Sequence, residues 1–123
     1  MENVSETDKF ESLKSLQSTI KKLENALSKM TQSGANTTLV KKRLNAVSIG
    51  LAILEQVWNH KPHPYTDEDL EEARNVFLNL IPSVESSYMK AKPGSPQKTL
   101  LERRLKAFAL VFQAMGEIYS KHR

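Results

Sequence analysis

The residues best suited to chemistry in this 123-residue chain are cations. Lys41, Lys42 and Arg43 follow one another, and Lys98, Arg103 and Arg104 form a second group further along. Lysine offers a compact ammonium and arginine a planar fork of donors, so such a group can grip carboxylate or phosphate oxygens. That is binding chemistry. Groups that would turn over a substrate are scarce, for there is no cysteine, no Gly-rich phosphate loop and no nucleophile elbow. His60, His63 and His122 are expected at one end of the fold with Asp67 and Asp69, which would suit a surface metal site, although ordinary exposed histidines are the preferred reading. Glu24, Glu55, Glu85, Glu102 and Glu117 fall mostly off the apolar stripes, and none has the Glu-x-x-His spacing of a di-iron bundle. The expectation is therefore no catalytic residue, no metal, no cofactor and no enzyme.

Binding residues need a scaffold, and the length allows one domain over 1–123. The opening MENVSETDKF is polar and acidic, unlike a secretory or mitochondrial leader. No apolar run approaches the roughly 20 residues of a membrane span. With cysteine absent as well, a soluble cytoplasmic protein that avoids membranes is expected. The net charge of +4 biases it towards acidic partners.

Four stretches carry the 3.6-residue apolar period, so the fold class is all-α. Leu13, Leu16, Ile20, Leu23, Leu27 and Met30 mark the first helix, with Ser5 or Thr7 as its cap. After the turn-forming run around Gly34, Val40, Leu44, Val47, Leu51, Leu54 and Trp58 mark the second. Gly50 inside it costs about 1 kcal/mol relative to Ala, which predicts close packing against a neighbour. The linker 60–65 contains Pro62 and Pro64, and Thr66 with Asp67, Glu68 and Asp69 opens the third helix. That helix runs through Leu70, Ala73, Phe77, Leu80, Ile81, Val84 and Tyr88, with a kink or break expected one turn before Pro82. Ser95 and Pro96 cap and start the fourth, which carries Leu101, Leu105, Phe108, Phe112, Met115 and Tyr119.

At an offset of 61 residues the second stripe falls on the fourth at every position, and Thr38-Leu39 falls on Thr99-Leu100. Leu16, Ile20, Leu23 and Leu27 likewise fall on Phe77, Ile81, Val84 and Tyr88. The pattern predicts an up-down-up-down four-helix bundle built from two duplicated helical hairpins, about 8–59 and 66–121. In that topology Lys41, Lys42, Arg43, Lys98, Arg103, Arg104 and Lys106 gather at one end. Asp8, Glu11 and Asp67 through Asp69 gather at the other, so the molecule is expected to be electrically polar along its length.

The stretch from Pro64 to Leu80, Pro-Tyr-Thr-Asp-Glu-Asp-Leu-Glu-Glu-Ala-Arg-Asn-Val-Phe-Leu-Asn-Leu, resembles the linker and third helix of the YppE-like proteins. These are small uncharacterised helical-bundle proteins of Gram-positive bacteria. The resemblance implies the same bundle and no known activity.

The expected function is that of an interaction or regulatory protein. Lys41, Lys42, Arg43, Lys98, Arg103 and Arg104 would contact an acidic protein surface. Nucleic-acid binding through the same residues is the alternative, and an immunity or antitoxin-like role is a third. Oligomeric state is left open by the sequence.

Overall fold

A computed structural model describes the backbone of residues 3–121 and the side chains of residues 3–118. The side chain of Tyr119 and residue His122, both used in the sequence reading, lie outside the described residues. The chain forms helices α1 (Glu6–Ser33), α2 (Thr38–Asn59), α3 (Asp67–Lys90) and α4 (Pro96–Lys121), with no strand among the described residues.

Side chains written into the sequence set these boundaries. The Ser5 hydroxyl accepts the amide of Asp8 at 3.1 Å and so starts α1. At the equivalent place before α3, Thr66 accepts the amide of Asp69 at 3.1 Å while Asp69 accepts that of Thr66 at 3.0 Å, a complete capping box. Ser95 accepts the amide of Lys98 at 3.1 Å, and Pro96 takes the first helical position of α4. Gly34 ends α1 in the left-handed conformation. His60 does the same for α2 with a φ of 57°, just before the prolines of the linker.

The expected break at Pro82 does not form, because α3 runs as one element from Asp67 to Lys90. Pro82 deprives the Leu78 carbonyl of its helical donor, but both residues lie on the exposed side, where water can serve that carbonyl.

Helices α2 and α4 form the centre of an all-α four-helix bundle. Each touches the other three helices, whereas α1 and α3 do not meet among the described residues. Asp8 pairs with Lys106 and Glu11 with Arg103, so a step up α1 is a step down α4 and the two are antiparallel. Gly50 lies beside Val111, and Gln56 and Val57 beside Ala114 and Ile118, so α2 and α4 run the same way. The order is up-down-up-down.

The close approach expected at Gly50 occurs here. A Cβ at this position would stand 3.0 Å from both the Phe77 ring and Val111 Cγ1. Burial follows the 61-residue offset through the core. Ala46, Val47, Ile53 and Leu54 of α2 correspond to Ala107, Phe108, Ala114 and Met115 of α4, all buried. On α1 the fully buried residues are Ser12, Leu16 and Thr19, which correspond to Ala73, Phe77 and Leu80 of α3. The leucine stripe of α1 is thus only partly buried at Leu13, Ile20 and Leu23. The deepest face of α1 runs along small polar residues, because α1 must contact α2 and α4 together. Thr19 tolerates burial by donating its hydroxyl to the Ser15 carbonyl at 2.9 Å.

Candidate functional site

Two grooves flank the central pair. One, of about 320 Å³, lies between α2 and α3 and is lined by Leu39, Lys42 and Arg43 on one side and Glu72, Asn75, Val76 and Asn79 on the other. The second, of about 220 Å³, lies between α4 and α1 and is lined by Leu100, Arg103 and Arg104 facing Glu11, Lys14, Ser15 and Ser18. Every residue of the first corresponds to one of the second at the same 61-residue offset. Leu39 stands for Leu100, Lys42 for Arg103, Arg43 for Arg104 and Glu72 for Glu11. Asn75, Val76 and Asn79 stand for Lys14, Ser15 and Ser18. Both leucines are exposed, at 58% and 59%.

The predicted cations are therefore divided. Lys42 and Arg43 belong to one groove and Arg103 and Arg104 to the other, while Lys41 is exposed and lines neither. Lys98 lies over the Tyr88 ring, with its ammonium 4.5 Å from the centroid, a cation–π contact.

The expected separation of charge into a basic end and an acidic end is overturned by α1. Lys106 meets Asp8 at 2.8 Å and Arg103 meets Glu11 at 3.6 Å, joining residues assigned to opposite ends. The acidic opening turns of α1 lie beside the second and third turns of α4 instead of its far end. Both pairs are partly exposed and of the kind that adds little to stability. Their importance is that they engage two of the cations internally. Hydrogen bonding from Lys106, helped by its charge and by the Ser5 hydroxyl, holds the Asp8 carboxyl below its usual range against a smaller opposing effect of burial.

Arg104 is the exception among these cations. It is half-buried, its Nε is shielded from solvent, and that nitrogen has no hydrogen-bond partner among the described residues. Burial lowers the pKa of its guanidinium, and Glu11, which lines the same groove, pairs with Arg103 instead. Leaving such a donor unsatisfied costs about 1–3 kcal/mol. Arg43, at the equivalent place, is also half-buried and makes no hydrogen bond or ion pair among the described residues.

The described histidines, His60 and His63, shape the backbone around the linker. His63 accepts the Tyr65 amide at Nδ1, at 3.1 Å, and stacks on the Tyr65 ring, which shapes the linker. Among the described residues no group of three His, Asp or Glu side chains could hold a metal ion. A larger cavity of about 520 Å³ lies where α2 and α4 end, lined in part by Gln56, His60 and Glu117. The sequence reading named neither this cavity nor the groove walls contributed by α1 and α3. The offset could have found those walls, since Glu11 and Glu72 are equivalent positions.

No family model, curated protein or solved structure matches the chain, so the grooves themselves carry the functional reading. No described helix is long and apolar enough to cross a membrane.

Proposed function

We propose that this chain is a non-enzymatic interaction or regulatory protein whose two basic grooves contact the acidic surface of a partner protein. The observation that carries the reading is a half-buried arginine, Arg43 or Arg104, at the same place in both grooves that makes no ion pair among the described residues. An unpaired guanidinium in a partly desolvated groove favours an incoming carboxylate, and the exposed Leu39 or Leu100 beside it favours an apolar neighbour of that carboxylate. Nucleic acid is the weaker reading. The cations are divided between two separate grooves, whereas a phosphodiester backbone rewards one continuous basic surface.

The same proposal includes an origin of the two hairpins by duplication, supported by the matching caps Ser5 and Thr66 and by shared core positions and groove residues. A cytoplasmic setting, supported by the absence of cysteine, and kinship with the YppE-like proteins, supported by Pro64 to Leu80, also belong to it.

The test is fluorescence anisotropy of a labelled peptide rich in Glu and Leu, titrated with the full chain. The double reversal Arg43→Glu and Arg104→Glu should weaken binding by about tenfold or more, the loss of at least about 1.4 kcal/mol. Unchanged binding would refute the reading. Tight binding of labelled DNA or RNA that collapses between low and moderate salt would replace it with the nucleic-acid one.

A further inference from the structure

The two grooves share their arginine and leucine but differ in their neutral and basic walls. Where the α2/α3 groove has Asn75, Val76 and Asn79, the α1/α4 groove has Lys14, Ser15 and Ser18. Within the latter, Glu11 is answered by Arg103, which leaves Lys14 and Arg104 as the uncompensated charges. The Lys14 ammonium touches only the face of Phe10, 5.9 Å from its centroid, among the described residues. Neither the Ser15 nor the Ser18 hydroxyl makes a hydrogen bond there. The groove thus presents a guanidinium, an ammonium and two hydroxyls, all able to donate.

We propose that the α1/α4 groove receives a phosphate monoester carried on a segment of the partner protein. This rests on the acidic-partner reading and names the acid. A carboxylate brings one charge and two oxygens, whereas a phosphate monoester brings nearly two charges and three strong acceptors, a better match to this set of donors. Arginine suits it further, since its fork can take two phosphate oxygens at once. The apolar rim points to a phosphate borne on a peptide over a free ion. Leu100 at 59% exposure and Phe10 at 66% border the donors, and inorganic phosphate has no use for either. The α2/α3 groove sets Lys42 and Arg43 against Glu72, one cation fewer than the α1/α4 groove, and has neither hydroxyl, so it serves as an internal control that takes a carboxylate without preferring phosphate.

The experiment uses one Leu-flanked acidic peptide with serine, glutamate or phosphoserine at its centre, each titrated into the full chain by calorimetry, with inorganic phosphate alone as a fourth ligand. The phosphoserine form should bind about tenfold tighter than the glutamate form, about 1.4 kcal/mol. Arg104→Gln and Lys14→Gln should each erase that preference, and Arg43→Gln should keep it. Lys14 is exposed, so its variant keeps the test decisive even if Arg104→Gln fails to fold. Equal affinity for the glutamate and phosphoserine forms would overturn the phosphate assignment and leave the acidic-partner reading standing. No binding of any peptide would overturn both. Inorganic phosphate binding as tightly as the phosphopeptide would overturn the assignment to a peptide-borne group.

Discussion

The α1–α2 hairpin and the α3–α4 hairpin place corresponding residues in corresponding surroundings, yet they solve the same packing problem with different side chains. Leu16 occupies the place of Phe77, Val47 that of Phe108, and Gly50 that of Val111. At these three positions the α3–α4 half carries the extra bulk, whereas Ile53 against Ala114 runs the other way. At the surface the difference runs through charge. Lys106 of α4 pairs with Asp8, but the corresponding Asn45 and Asp69 form no such bridge, and Asp69 is held by its capping box. The comparison teaches that the backbone arrangement depends on the shared apolar positions, while the groove walls are free to diverge and can give each groove its own ligand.

The sharpest way to break the equivalence is to remove bulk from one half of the core. Phe77→Ala should cost about 3–5 kcal/mol and Leu16→Ala about 2–5 kcal/mol, measured by urea denaturation. Comparable losses for the pair would show that both halves share one cooperative core; a minor loss at Leu16 would show that α1 is peripheral.

Glycine gives a contrast in sign. Gly50→Ala should destabilise by about 1–3 kcal/mol through crowding of Phe77 and Val111, less the gain of about 1 kcal/mol in helix propensity. Gly116 of α4 has nothing within 4 Å of an added Cβ, so Gly116→Ala should instead stabilise by up to about 1 kcal/mol. Thermal melts of both variants would decide it, and a stabilised Gly50→Ala would contradict the close crossing of α2 and α4.

Replacing the unsatisfied guanidinium tests the grooves. Arg104→Met should raise stability by about 1 kcal/mol, because an apolar side chain fills the same space with no orphaned donor. Arg43→Met should change it less, since no atom of Arg43 is both shielded and unpaired. Equal responses would mean that the two arginines sit in the same environment.

The smallest effect is that of pH. The Asp8 pKa is depressed in the folded chain, so its stabilising contribution is present above its unfolded value of about 3.9 and is lost as pH falls through the lowered folded value. Lys106→Ala should remove most of that dependence, read as a flatter stability curve on the acid side. Asn45→Lys should introduce a similar one through Asp69.

Much of this was legible from residue types. The caps at Ser5, Thr66 and Ser95, the left-handed Gly34 and the close contact at Gly50 all follow from local chemistry, and the apolar period assigns the helices. The axial placement of α1 against α4 was not legible, because a stripe specifies which face is buried and says little about how far one helix slides along another. That slide decides whether Asp8 meets Lys106 or the far end of α4. The burial of Ser12 and Thr19 was hidden for a related reason, since polarity argues for exposure until a second neighbour covers the helix. Of the two expectations at Pro82, the break fails because a proline on a solvent-facing turn leaves its orphaned carbonyl to water.

The meeting of Gly50 with Val111 also bears on what each half can associate with. Hairpins so alike carry surfaces suited to their own copies, and two chains could in principle trade halves. A glycine set against a second glycine would leave a gap at the crossing, and a valine against a valine would collide. The hollow in one half and the protrusion in the other therefore act as lock and key, favouring the union of unlike hairpins over that of like ones.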